Sequence, residues 1–187
     1  MTKIICIGRP GHGGIAASLK KYYPDTCFVS KSTGQDLLIN DHYNHFINNV
    51  KDYNVFINHS QIAIGMQEQL LKDVYKTWTE NKVHGHIISI GSIIEFDEWS
   101  WLDEATAKEK LNIRNTSLSL NSELIKTTHL ITSGFNRYGP EDDVKIDPDK
   151  IVETIKFILE ADVDIPLIYV EHTNDARLNK WRNIKSS

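Results

Sequence analysis

The sequence predicts an α/β protein built on one doubly wound parallel sheet with helices on both faces, three layers in all. Three observations predict it. Short apolar runs alternate with amphipathic segments along the 187 residues, and strands separated by helices are joined by right-handed crossovers that set them parallel. The first run, Lys3-Ile4-Ile5-Cys6-Ile7, passes straight into Gly8-Arg9-Pro10-Gly11-His12-Gly13-Gly14 and then Ile15-Ala16-Ala17-Ser18-Leu19. A buried strand, a glycine turn and a helix start in that order place free helix amides where a pyrophosphate can sit. Later strands end in Asn58-His59-Ser60, Gly91-Ser92 and Gly134, and ligands of such sheets bind at carboxyl ends. A glycine-rich turn without a ligand is the alternative reading of the loop taken alone.

The elements follow in order. Lys3–Ile7 reads as strand and His12–Tyr23 as helix, broken by Tyr23-Pro24-Asp25. Thr26–Ser30 reads as strand and Lys31–Asp36 as loop. His42–Lys51 has helical spacing at Phe46, Ile47 and Val50. Tyr53–Asn58 is a buried strand. Gln67–Glu80 is an amphipathic helix with Leu70, Leu71, Val74 and Tyr75 on one face. His86–Ile90 is a strand, Glu104–Leu124 a long helix and Thr128–Thr132 a strand. Asp147–Leu159 is a helix and Ile165–Val170 the last strand. Nothing reads as a linker or a repeat, so residues 1–187 are expected to form one domain.

Composition narrows the function classes. The hydrophobic share is 40% and the net charge −4, with charges scattered. No basic stripe points to nucleic acid. No apolar run reaches membrane-spanning length, and the first residues read as a strand rather than a signal peptide. Cys6 and Cys27 fall in strands predicted to be buried, so both are read as reduced thiols of a cytoplasmic protein. His42-x-x-His45 and His84-Gly85-His86 are not read as a metal site, because zinc needs three or four converging ligands.

Taken together, the segments resemble the short-chain dehydrogenase/reductase family, over nearly the whole chain and in order. Gly8-x-x-Gly11-x-x-Gly14 resembles its cofactor loop. Asn54-Val55-Phe56-Ile57-Asn58-His59-Ser60 resembles the strand that ends in its Asn-Asn-Ala-Gly. Gly85-His86-Ile87-Ile88-Ser89-Ile90-Gly91-Ser92 resembles the strand leading to its catalytic serine. Ala107-Lys108-Glu109-Lys110-Leu111 resembles its catalytic-lysine turn, and Ile131-Thr132-Ser133-Gly134-Phe135 the segment beside the nicotinamide. The resemblance implies a Rossmann-like NAD(P)-binding fold, an oxidoreductase activity on a small carbonyl or alcohol, and Ser92 and Lys108 as catalytic residues. It also implies cofactor contacts at Gly8, Gly11, Gly14, Asn58, Lys108 and Gly134. Family members commonly dimerise through the helices that correspond to Gln67–Glu80 and Glu104–Leu124. The second of these carries Leu111, Ile113, Leu118 and Leu120, so a homodimer is expected, with a wide core stripe as the alternative.

The chain departs from the family where the chemistry is done. Glu104 stands where the family has its tyrosine, four residues before the lysine. The family's helix asparagine would fall near Ile64, and the segments after the second strand and between Asn58 and Ser92 are short. In the family the tyrosine moves a proton at the substrate oxygen, the lysine binds the ribose and lowers the tyrosine pKa, and the serine hydrogen-bonds the substrate oxygen. A free glutamic acid titrates near pH 4.3, so at neutral pH it is a carboxylate without a proton to give, unless burial raises its pKa. Three readings of Glu104 follow. It forms a surface i,i+4 pair with Lys108, or it is a repurposed acid–base group, or a substitute such as Tyr138 reaches the cleft.

The end of the second strand bears on cofactor choice. It reads Ser30-Lys31-Ser32-Thr33, with no acid to hold a ribose 2′-hydroxyl. Lys31 and Arg9 favour the 2′-phosphate of NADP(H) over NAD(H), or are two solvated cations. Asp36 resembles the family's adenine-reading aspartate, or is an ordinary loop carboxylate. Trp99 and Trp101 line a substrate pocket or seal the domain edge. Two function classes stand: an NADP-dependent oxidoreductase with an altered acid–base group, and a non-catalytic nucleotide-binding sensor or interaction module.

Overall fold

The computed structural model describes residues 2–11, 13–59, 62–96, 102–133 and 146–171. Six strands form one sheet: β1 (Ile4–Ile7), β2 (Cys27–Val29), β3 (Val55–Asn58), β4 (Gly85–Ile90), β5 (Ile125–Thr132) and β6 (Leu167–Val170). Their spatial order is β2-β1-β3-β4-β5-β6, and every neighbouring pair is parallel. Every residue of β1 and β3 is buried, as strands covered on both faces require. The direction of growth reverses between β1 and β3. In an open α/β sheet that reversal is the switch point beside which ligands bind.

Alternation along the strands sends side chains to two cores. On one face Cys6, Ile57, Ile88 and Leu130 meet α1 (Gly14–Tyr22) and α5 (Pro148–Glu160). On the other, Ile5, Phe56, Ile87 and Ile125 meet α2 (Asn40–Asn49), α3 (Met66–Glu80) and α4 (Leu102–Ser119). The predicted doubly wound, three-layer α/β sheet is therefore what the chain forms. α5 starts sharply because Asp147 accepts the Asp149 amide at 2.9 Å and Pro148 follows it, a side-chain cap with proline in the first turn. Trp78 of α3 is fully buried and donates Nε1–H to the Val50 carbonyl at 2.9 Å.

Several expected boundaries shift. The fourth long helix ends at Ser119, not Leu124, and β5 begins at Ile125 rather than Thr128. Asn121 returns its side chain to the Ser117 carbonyl, while Ser122 Oγ accepts the amides of Leu124 and Ile125. These local bonds compete with helix and start the strand. The first helix begins at Gly14. The loop after β2 holds a 3₁₀ turn over Lys31–Thr33. Cys6 is buried, but Cys27 is only half-buried, because β2 is the edge strand. Among the described residues no helix is long and apolar enough to cross a membrane.

Candidate functional site

The carboxyl edge of the sheet carries two polar neighbourhoods. At the β1–β2 end lies a cavity of about 490 Å³, lined among others by Gly8, Arg9, Ser30, Lys31, Ser32 and Asp36. Six of the positions read as cofactor contacts thus share one hollow.

The glycine loop is built for close approach. The left-handed backbone falls at Gly13 (φ 59°) and Gly14 (φ 70°), where the chain turns into α1. Gly8 is required for space instead: a Cβ there would lie 2.9 Å from Ala16 Cβ and 3.1 Å from His59 Nδ1. α1 and the end of β3 therefore close on β1 at the switch point. Gly11 is exposed, with open space beside it.

After β2, hydroxyls organise the turn. Thr33 Oγ1 accepts the Ser30 amide at 2.9 Å, and Ser30 Oγ lies 2.9 Å from Ser32 Oγ. Lys31 extends into solvent, 88% exposed, 3.7 Å from Asp36. Asp36 is held from two sides: its amide donates to His42 Nδ1 at 3.0 Å, and its Oδ1 accepts the Leu38 amide at 3.1 Å. Leu37 between them is buried.

The second neighbourhood lies under α3 and α4 and is closed. Asn58, Ser89 and His129 stand in register across β3, β4 and β5, all fully buried. Asn58 Nδ2 donates to the Gln67 carbonyl at 2.7 Å, and Gln67 Nε2 returns a bond to the Asn58 carbonyl at 2.9 Å. Lys108 comes down from α4, 7% exposed. Its ammonium donates to Gln67 Oε1 and, at 3.2 Å, to the Ile90 carbonyl. Burial lowers its pKa to about 8, while the charges of Glu95 and Glu104 pull it back up. The expected surface pair with Glu104 is thus corrected. Lys108 is a core lysine held by an amide and a carbonyl, because the stripe Lys108, Leu111 and Asn115 is the buried face of α4. Glu104 is half-buried in the first turn of α4.

Beside Lys108, the Glu95 carboxylate meets His129 Nε2 at 2.9 and 3.1 Å, both side chains essentially buried. Oε1 also accepts the Ser92 amide at 2.9 Å, and Oε2 the Asn112 side chain at 3.3 Å. Ser92 itself is half-buried at the head of the Ile93–Phe96 turn.

Sequence reasoning missed Glu95, His129 and Gln67. Ile64, where the asparagine was sought, is exposed ahead of α3, and Gln67 is the side chain that reaches Lys108. A local signal existed for Glu95: Ser92-Ile93-Ile94-Glu95 is the S-x-x-E spacing in which the acid turns back to the first amide. His86 bonds Thr128 through Nε2, and His84 is exposed. Gly134, Trp99, Trp101 and Tyr138 lie outside the described residues.

No family model matches the chain, and no curated protein does. Solved structures do. A short-chain dehydrogenase from Sphingobium yanoikuyae in complex with NADPH matches with a TM-score of 0.70 at 12% identity, over 98% of this chain and 93% of that one. A short chain dehydrogenase from Leptospira borgpetersenii with bound NAD+ matches with 0.71 at 11% identity, over 94% of each chain. An alcohol dehydrogenase from Thermococcus sibiricus complexed with 5-hydroxy-NADP matches with 0.69 at 10% identity, over 92% of this chain and 97% of that one. At these identities the likeness establishes a common fold: a parallel α/β sheet of the Rossmann-like kind found in short-chain dehydrogenases.

Proposed function

We propose that the chain binds NADP(H), in preference to NAD(H), across the β1–β3 switch point, as a short-chain-dehydrogenase-like oxidoreductase of a small carbonyl or alcohol with an altered acid–base group. One observation carries this reading: a single cavity gathers Gly8 at the start of the glycine loop, two cations and the serines after β2. Its volume, about 490 Å³, lies in the range of small-molecule sites, roughly 300–1,000 Å³. The donor set fits a phosphate, with Arg9 and Lys31 as cations and Ser30 and Ser32 as hydroxyl donors. A side chain at Gly8 would push α1 and His59 away from β1 beside the hollow. Asp36, already fixed by His42, faces the same hollow and suits a base edge. Gly11 and Gly14 would let the chain pass close to a pyrophosphate, Asn58 would brace the β3 end, and Gly134 is assigned to the nicotinamide from sequence alone.

The bound nicotinamide would supply the hydride. In this reading the residues of the chain do the rest: Ser92 would orient the substrate oxygen and Lys108 would hold the nicotinamide ribose. Position 104 lacks the hydroxyl donor, so turnover of ordinary ketones is slow. Loss of a positioned acid–base group costs about 10²–10⁴ in rate. Glu104→Tyr should gain reductase activity against a carbonyl panel.

Calorimetric titration tests the cofactor. NADPH should bind at least about tenfold more tightly than NADH, a difference of about 1.4 kcal/mol or more. Equal affinities, or no binding of either, would end the reading. The non-catalytic alternative is favoured by one observation: Lys108 is already committed to Gln67 and the Ile90 carbonyl. It gains if NADPH binds but neither wild type nor Glu104→Tyr turns over. The exposed Ile113 and Leu120 (63% and 82%) support a homodimer on the α4 side, and a monomer by light scattering would count against it.

A further inference from the structure

We infer that Glu95, backed by His129, is a positioning residue that fixes Ser92 just beyond the carboxyl end of β4. The inference rests on the reading of Ser92 as the hydroxyl that faces substrate, but its geometry stands on its own observations. The Glu95 carboxylate is buried and shared among three elements. It takes the Ser92 amide from its own turn, the imidazole Nε2 from β5 and the Asn112 amide group from α4. Each bond removes a freedom from the segment that follows β4. The Ser92 amide bond fixes the backbone that carries the hydroxyl. The His129 bond ties that backbone to a strand interior that has no room to move. Asn112 ties it to the helix that carries Lys108.

Gly91 shows how close the packing is. A Cβ there would overlap both Glu95 Oε1 and His129 Nε2. The carboxylate therefore passes directly over the last residue of the β4 path. A side chain at Gly91 would displace the acid or the imidazole, and with it the tether on Ser92. Glu95 is too buried to touch a substrate, and its partners already occupy both oxygens. Its work is done through Ser92, by holding the backbone that carries the hydroxyl beyond the end of β4.

The test uses the full chain and three variants: Glu95→Ala, Glu95→Gln and His129→Gln. Two readouts are taken. Amide hydrogen exchange at Ser92 reports the tether whether or not the protein turns over. Steady-state kinetics with NADPH and the carbonyl panel report function. Glu95→Ala should speed Ser92 exchange by at least about tenfold while α5 amides stay protected. It should lower kcat by about tenfold or more with the KM for NADPH unchanged, as loss of an oriented group in the transition state requires. Glu95→Gln keeps, in its amide oxygen, the acceptor for the Ser92 amide and for the imidazole Nε2–H, and loses only the second acceptor, which faces Asn112, so it should recover most of both readouts. His129→Gln should fall between the two, and it serves in place of Glu95→Ala should that variant fail to fold.

Unchanged Ser92 exchange in Glu95→Ala overturns the inference. Equal loss of kcat in the Ala and Gln variants with exchange still slow also overturns it, because Glu95 would then act chemically. If wild type binds neither dinucleotide, the functional reading of the cleft fails. The exchange comparison still decides whether Glu95 holds Ser92.

Discussion

At the β1–β2 end of the carboxyl edge the cations stand in water, whereas at the β4–β5 end the polar groups are buried among fixed partners. Lys31 is almost wholly exposed and 3.7 Å from Asp36. Glu95 and His129 have at most 2% exposed and share bonds with Ser92 and Asn112. Exposed pairs contribute about 0–1 kcal/mol, and a ligand can replace one partner at little cost. Removing one member of a buried pair costs about 3–5 kcal/mol, since the other is left uncompensated. The first region can receive a charged ligand because its own charges do little for the fold. The second can hold a geometry because its charges are already engaged.

The largest break should come at His129. His129→Ala leaves buried Glu95 oxygens without their imidazole partner and opens a cavity in the strand interior, and should cost about 2–5 kcal/mol in urea unfolding. Lys31→Ala in the same assay should cost less than about 1 kcal/mol. Similar losses would erase the contrast.

Lys108 sharpens it through pH. Its folded pKa of about 8 lies below the ordinary 10.5. Between those values the unfolded chain holds a proton that the folded chain has lost. Stability should therefore rise as pH climbs from 8 to 10.5, by up to about 3 kcal/mol, and the burden of the buried charge should be full below pH 8. The difference between wild type and Lys108→Met isolates this from the tyrosines. A flat difference across that window would show that Lys108 is better solvated than its burial implies.

Smaller effects separate the glycines of the two regions. Gly91→Ala should destabilise by about 1–3 kcal/mol through overpacking against the fixed carboxylate and imidazole. On the ligand side, Lys31→Ala should weaken NADPH binding about tenfold, near 1.4 kcal/mol, with NADH binding unchanged. Gly11→Ala should be close to neutral in stability, within about 0.5 kcal/mol, since nothing lies near the added methyl.

The two regions were also unequally legible in the sequence. The strands, their order and the glycine loop could be read because apolar runs and turn residues are local signals. The cavity residues Gly8, Arg9, Ser30, Lys31, Ser32 and Asp36 were legible for the same reason, each following a strand end. The buried cluster was not. Glu95 and His129 are 34 residues apart, and His129 sits inside a strand whose other residues read as ordinary core. Gln67 looked like the first residue of an amphipathic helix, and nothing local shows that it meets Lys108. The overrun of the fourth helix has a different cause. Leu118, Leu120 and Leu124 continue a helical spacing, and only the side-chain bonds of Asn121 and Ser122 stop it.

The strand order carries one more consequence, in the timing of assembly. Of the six strands β1 is made before the others, but it is a central strand, flanked by β2 and β3. Once β3 has been made, every later strand pairs with the one made just before it: β4 on β3, β5 on β4, β6 on β5. The sheet can therefore grow by accretion in one direction, at the pace of synthesis, without reopening a finished pair. The end of β4 emerges well before β5. During that interval Glu95 has no imidazole to meet, and the turn after β4 takes its final form only when His129 arrives.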